Sequence, residues 1–259
     1  MGKTLIEIDK KVIAVNDYGS QNGKVLVVNH GMIASIYDES LFDTFLEYGY
    51  RLIFIARPGY GQSSVFQMVN IGEWGILVDK VLNQLTISSC SVLGISSGAP
   101  YSYALGKSSE KIKNIYILSG TPALYLDNIQ KEWPFPVNND ATITEFQKLA
   151  KDIFFGKEYL PNGTNINQDD SYKNDCYGIA LDLYLRTKKW GFLLEEIEKS
   201  VFMEHMKDDS SVPFICAELT KKNLKKCIFT RKESGGHFNQ TILNDFFMKV
   251  IHPEENKLA

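Results

Sequence analysis

Six short, largely apolar runs punctuate this chain: VLVV (25–28), LIFIA (52–56), SVLG (91–94), IYIL (115–118), VFM (201–203) and CIF (227–229). Gly, Pro or Ser follows most of them closely. Continuous apolar runs, unlike alternating ones, suit strands buried on both faces. Helical segments lie between several of them, such as DESLFDTFLEYG (38–49) and IGEWGILVDKVLNQL (71–85). Strand and helix in alternation predict an α/β fold, a mostly parallel, doubly wound sheet with helices on both faces. The N-terminal TLIEI and KVIAVNDYG alternate apolar and polar residues, which predicts an antiparallel hairpin at one sheet edge.

The gap between the runs ending at 118 and starting at 201 is far longer than a crossover needs. It predicts a helical cap insertion over 121–196, with a core domain made of 1–120 and 197–259. The insertion carries helical-looking pieces, TITEFQKLAKDIFFG and CYGIALDLYLRTKKWGFLLEEIEK, and many aromatics.

At 259 residues and 44% hydrophobic, the chain can bury a sizeable core. A net charge of −3 without a basic stripe argues against a nucleic-acid partner, and no polybasic cluster or long apolar run suggests a membrane. The alternating start MGKTLIEIDKKV does not read as a signal peptide. Cys90, Cys176, Cys216 and Cys227 have no metal-type spacing, so reduced, buried thiols in a cytoplasmic protein are expected. Oligomeric state is open.

The stretch SVLGISSGAPYS (91–102) sets two serines between glycines at a strand-to-helix junction. A nucleophilic serine on such a turn needs small residues two before and two after, because strand and helix pass close there. Ser96 has Gly94 and Gly98, whereas Ser97 has Ile95 and Ala99, so Ser96 fits. Pro100 is tolerated in a first helical turn. A phosphate loop fits worse, since no Gly-Lys-Ser/Thr follows.

A serine needs a base. Among His30, His205, His237 and His252, His237 lies in a glycine-rich loop, ESGGHF, just after the last run, at the sheet edge that also carries Ser96. His205 is expected to order the acidic loop after it, and His252 to be solvated. The base needs a carboxylate, and MKDDSSVP offers Asp208 and Asp209, one of which should be merely solvated. Oxyanion donors are expected from the backbone N–H groups of Ser97 and, in NHGM after the first long run, Met32.

Together VLVVNHGM, RPGYGQSS, VLGISSGAPYS, HMKDDSSVP and SGGHF resemble the α/β-hydrolase superfamily in order and spacing across nearly the whole chain. The order Ser, Asp, His is that family's. HMKDDSSVP resembles its His-Gly-x-x-Asp-x-x-Val-Pro loop, which puts the acid at Asp209, with Met206 where a glycine is usual.

The resemblance implies a Ser96–Asp209–His237 triad, an acyl-enzyme on Ser96, and no metal or organic cofactor. It implies a carboxylesterase acting on a small apolar molecule, with Trp133, Phe135 and Phe154 of the cap lining the substrate pocket. Leu126, Phe155 and Tyr159 are further apolar candidates in the same segment. Other activities of the fold stay open: a carbon–carbon bond hydrolase, an aminopeptidase, a lactonase, or a non-hydrolytic ligand-binding protein.

Overall fold

The computed structural model describes residues 2–253. Its centre is an eight-stranded sheet of order β1-β2-β4-β3-β5-β6-β7-β8. The strands are β1 (Lys3–Ile8), β2 (Lys11–Tyr18), β3 (Lys24–Asn29), β4 (Tyr50–Ile55), β5 (Cys90–Ile95), β6 (Ile112–Leu118), β7 (Ser200–Met206) and β8 (Cys227–Lys232). β1 and β2 form the expected edge hairpin, β2 joins β4 antiparallel, and β3 through β8 are parallel throughout. Each of the six apolar runs lies within or across one of the strands β3–β8.

Strand periodicity divides the core in two. Val27, Ile53, Val92, Ile115 and Ile117 point to one face, where they meet α2 (Gly72–Gln84), α3 (Ala99–Ser108) and α8 (Phe214–Lys222). Their neighbours Leu26, Val28, Leu52, Phe54, Leu93, Tyr116 and Leu118 point to the other, against α1 (Asp43–Glu47) and α9 (Gln240–Phe246). A side-chain period of two forces this alternation, and a parallel sheet needs cover on both faces. In α2 the buried Trp74, Leu77, Val78, Val81 and Leu82 recur at helical spacing along one stripe. Burying each of the large ones contributes about 1.5–3 kcal/mol, so Trp74→Ala would be among the most damaging changes there.

Between β6 and β7 run α4 (Asp127–Gln130), α5 (Ile143–Phe154), α6 (Ile166–Lys173) and α7 (Tyr177–Leu185). Thr142 and Glu145 start α5 as a reciprocal capping box. α7 is apolar nearly all round and correspondingly buried: Leu181 and Leu185 join one core cluster, Ile179 and Leu183 the other. Its single acid, Asp182, is buried with them. No helix among the described residues is long and apolar enough to cross a membrane.

Candidate active site

β5 ends at Ile95, and Ser96 follows with φ of +52°, a left-handed conformation that a non-glycine residue adopts only under constraint. The two flanking glycines permit the turn. A Cβ at Gly94 would lie 2.6 Å from Ser102 Oγ and 2.8 Å from Ala99 Cα, in the helix that follows. A Cβ at Gly98 would lie 2.0 Å from Asn29 O, at the end of β3. Thr121 N–H, 2.9 Å from Ser96 O, pins the turn from the neighbouring strand's exit.

His237 Nε2 lies 2.9 Å from Ser96 Oγ, and His237 Nδ1 lies 2.8 Å from Asp209 Oδ2. A carboxylate only accepts, so Nδ1 carries a proton and Nε2 is left to accept from the serine. The other bonds to Asp209 fix it: Oδ1 accepts from the Ser211 and Val212 amides, each at 2.9 Å, and Oδ2 also faces His205 Nε2 at 3.2 Å. Burial alone would raise the Asp209 carboxyl, but hydrogen bonds from His205, His237 and the Val212 amide override it and hold it far below the ordinary carboxylate range. The structure thus brings Ser96, His237 and Asp209 together. Met206, where a glycine was expected, is simply the buried end of β7.

The second acid is not merely solvated, as the sequence reading expected. Asp208 accepts from Gly236 N at 2.9 Å and Gly235 N at 3.1 Å, tying down the loop that presents His237. These two bonds hold its carboxyl below its ordinary value. His205 orders the acidic loop as expected, with its Nε2 2.8 Å from Val212 O. His252 departs from its expected solvated state: its ring packs against Tyr48 and Phe247.

Met32 and Ser97 border the same cavity as Ser96. Ser97 stands in a short helical turn leading into α3, where backbone N–H groups have no intrahelical acceptor. Beneath the Met32 loop lies a network that motif reading did not find. Arg57 donates to His30 O at 2.6 Å and Gly31 O at 3.1 Å. It also forms a bidentate pair with Asp182 of α7, at 3.2 and 2.7 Å. The single Tyr60 O–H is shared between Met32 O at 2.7 Å and Asp182 Oδ2 at 2.8 Å, and Tyr101 of α3 donates to the other Asp182 oxygen. The His30 Nδ1–H reaches its neighbour's carbonyl, Gly31 O, at 2.8 Å.

Burial would lower the Arg57 guanidinium; the Asp182 charge overrides that and leaves it above its ordinary value. Burial and Asp182 push both phenols well above theirs, so they stay donors. The sequence did hold a signal: Asp182 is a lone acid inside the otherwise apolar YGIALDLYL.

The cavity encloses about 750 Å³ around Ser96 and His237. Trp133, Phe135 and Phe154 line it, together with Arg186 just past the end of α7. Leu126 instead packs on the core, while Phe155 and Tyr159 meet each other and Tyr172 in edge-on and tilted ring contacts inside the insertion. All four cysteines are free, with Cys227 only half-buried. No group of three or more His, Cys, Asp or Glu among the described residues could hold a metal ion.

No family model matches the chain. An uncharacterized hydrolase of Bacillus subtilis, YcgS, is 27% identical over 123 residues, 48% of this chain and 41% of that protein. The chain therefore spans less than half of this curated relative. An esterase from Exiguobacterium antarcticum superimposes with a TM-score of 0.74 at 22% identity, covering 98% of this chain and 99% of its own. The enol-lactonase of Burkholderia xenovorans does so with 0.70 at 12% identity, over 98% and 100%. An alpha/beta hydrolase fold protein from Chitinophaga pinensis gives 0.66 at 15% identity, over 98% and 97%. Sheet order, elbow and these likenesses agree: the chain has the α/β-hydrolase fold.

Proposed function

We propose that this protein is a serine hydrolase that cleaves a carboxylic ester of a small, largely apolar molecule. The observation that carries the reading is the Ser96–His237–Asp209 relay, at 2.9 and 2.8 Å, opening into an apolar cavity. In this reading His237 Nε2 takes the Ser96 proton as Oγ attacks the ester carbonyl. The Met32 and Ser97 amides receive the oxyanion, and Asp209 stabilises the imidazolium. Collapse of the tetrahedral intermediate expels the alcohol, which takes the proton from His237. Water, deprotonated by the same ring, then releases the acid from Ser96. No step requires a metal or organic cofactor.

Residues 121–196 act as the cap. Trp133, Phe135 and Phe154 bind the acyl or alkyl part through apolar area removed from water, at roughly 25 cal/mol per Å². The solved esterase and enol-lactonase of the same fold are in keeping with this chemistry, since a lactone is an internal ester. The setting is cytoplasmic, and the partner is a small-molecule substrate rather than nucleic acid or membrane. The test is labelling by a fluorophosphonate together with turnover of p-nitrophenyl butyrate. Both should vanish in Ser96→Ala, by several orders of magnitude for turnover. Ser97→Ala, which keeps its amide, should stay within about tenfold of wild type. Acylation found on Ser97, or on neither serine, overturns the reading.

A further inference from the structure

The walls of the cavity carry one cation that has no hydrogen-bond or ion-pair partner among the described residues. Arg186 borders the cavity beside Trp133, with its guanidinium 5.7 Å from the centre of that ring. Its Nε is buried without a hydrogen-bond partner, and its guanidinium makes no ion pair among the described residues. Contact with a ring face engages the charge and leaves the N–H fork unused. The nearest acid along the helix, Asp182, is already engaged elsewhere: Oδ1 takes Arg57 Nε and Tyr101 OH, and Oδ2 takes Arg57 Nη2 and shares the Tyr60 O–H with Met32 O. Burial outweighs the Asp182 charge and pushes the Arg186 guanidinium down to about 10, which leaves it cationic at neutral pH.

The other charged or titratable groups in the wall are Asp38, His30 and His237. Asp38 is engaged by Asn167 Nδ2 at 2.5 Å, His30 by its own loop, and His237 by the relay. Two more buried polar atoms in the wall lack partners, Ser35 Oγ and Trp133 Nε1. Buried polar groups in folded proteins are nearly always satisfied, and a half-buried cation whose buried Nε has no partner carries a cost. An otherwise apolar pocket with an idle N–H fork is built for a ligand that supplies the acceptor.

We propose that Arg186 is the anion-recognising residue of this cavity, and that the preferred substrate is an ester or lactone bearing a carboxylate away from the scissile bond. The proposal rests on the serine-hydrolase reading for its reaction, but its recognition step does not. A carboxylate matches the planar fork with two parallel hydrogen bonds. Among the described residues the wall holds a single unpaired cation, so a singly charged carboxylate is neutralised, whereas a doubly charged phosphate would not be.

Two measurements separate the ideas. The first is calorimetric binding of monomethyl adipate and dimethyl adipate to Ser96→Ala. The monoester should bind about ten- to hundredfold more tightly, as expected for hydrogen bonds to a charged group. Arg186→Gln should abolish that preference and Arg186→Lys should restore part of it, with circular dichroism confirming that each variant is folded. The second is hydrolysis of the same two esters by the unmodified protein, where the monoester should show the higher kcat/KM through a lower KM. Equal binding of the two esters, or a preference untouched by Arg186→Gln, overturns the inference even if both are hydrolysed. Charge-selective binding that needs Arg186 supports it, and absence of all hydrolysis would then overturn only the serine-hydrolase reading.

Discussion

Arg57 and Arg186 make an instructive pair. Arg57 is fully buried and Arg186 half-buried, and both lie close to the Asp182 charge. Arg57, beneath the Met32 loop, donates to two carbonyls and to both oxygens of Asp182. Arg186, in the cavity wall, donates to none among the described residues, and its Nε is buried without a partner. Around Arg57 the polar groups are satisfied by the protein itself, so the carbonyls of the Met32 loop are held before any ligand arrives. At Arg186, donors are left idle. Preorganisation belongs where the reacting atoms must be placed to a fraction of an ångström, and unsatisfied capacity belongs where a ligand is chosen.

The largest expected effect comes from breaking the satisfied side. Asp182→Ala leaves the Arg57 charge and the Tyr101 hydroxyl without their acid in a dry interior, and removing one partner of a buried pair costs about 3–5 kcal/mol. Thermal unfolding should shift down by roughly 10 °C. The double variant Arg57→Met/Asp182→Leu should lose less than Asp182→Ala alone, because no charge is then left buried. A single variant within about 2 °C of wild type would remove the contrast between the two arginines.

Acid sharpens the same contrast at Asp209. Its carboxyl lies below the ordinary value in the folded protein. The carboxylate therefore contributes stability above about pH 3.9, and the contribution is lost as the pH falls below that. Denaturant curves of wild type and Asp209→Asn should differ at pH 7 and converge towards pH 2. A constant offset at all pH values would show that the carboxylate is not held by its donors.

Arg186→Met tests the unsatisfied side. Losing a half-buried charge without an ion-pair partner should leave the ligand-free protein as stable as wild type or raise it by about 1–2 kcal/mol, read by urea titration. A loss above about 3 kcal/mol would mean that Arg186 is structural after all. The smallest effect is expected at Asp208→Asn. Its remaining oxygen still accepts one loop amide, so ester turnover should stay within about tenfold of wild type, with Asp208→Ala the worse of the two.

Much of this was legible in the chain, and the reasons are physical. The parallel strands declared themselves because burial on both faces leaves no room for alternation, as in VLVV and LIFIA. Ser96 was separable from Ser97 because only a glycine fits against Ser102 on one side and Asn29 O on the other. Asp209 was singled out only through the resemblance of HMKDDSSVP to the family's loop, and the task of Asp208 was not read at all, since a carboxylate bound to two loop amides looks in sequence like a solvated one. The Arg57–Asp182 pair joins positions 125 residues apart and belongs to no motif. Which insertion aromatics face the cavity was only half visible: Trp133 and Phe154 do, whereas Phe155, one residue on, turns into its own cluster.

The anchoring of α7 has a kinetic consequence. An insertion that swung away as a hinged flap would have to pull Asp182 from Arg57, Tyr60 and Tyr101 and carry Leu181 and Leu185 out of the core. That is an excursion on the scale of partial unfolding rather than of loop motion. Molecules must then pass through a standing aperture, and Phe135, Leu149 and Ile153, which border the cavity and are also exposed, mark its rim. Such a gate admits by girth and needs no oil–water boundary to open it. Amide exchange in α7 should accordingly be among the slowest in the molecule, while the rim segments exchange quickly.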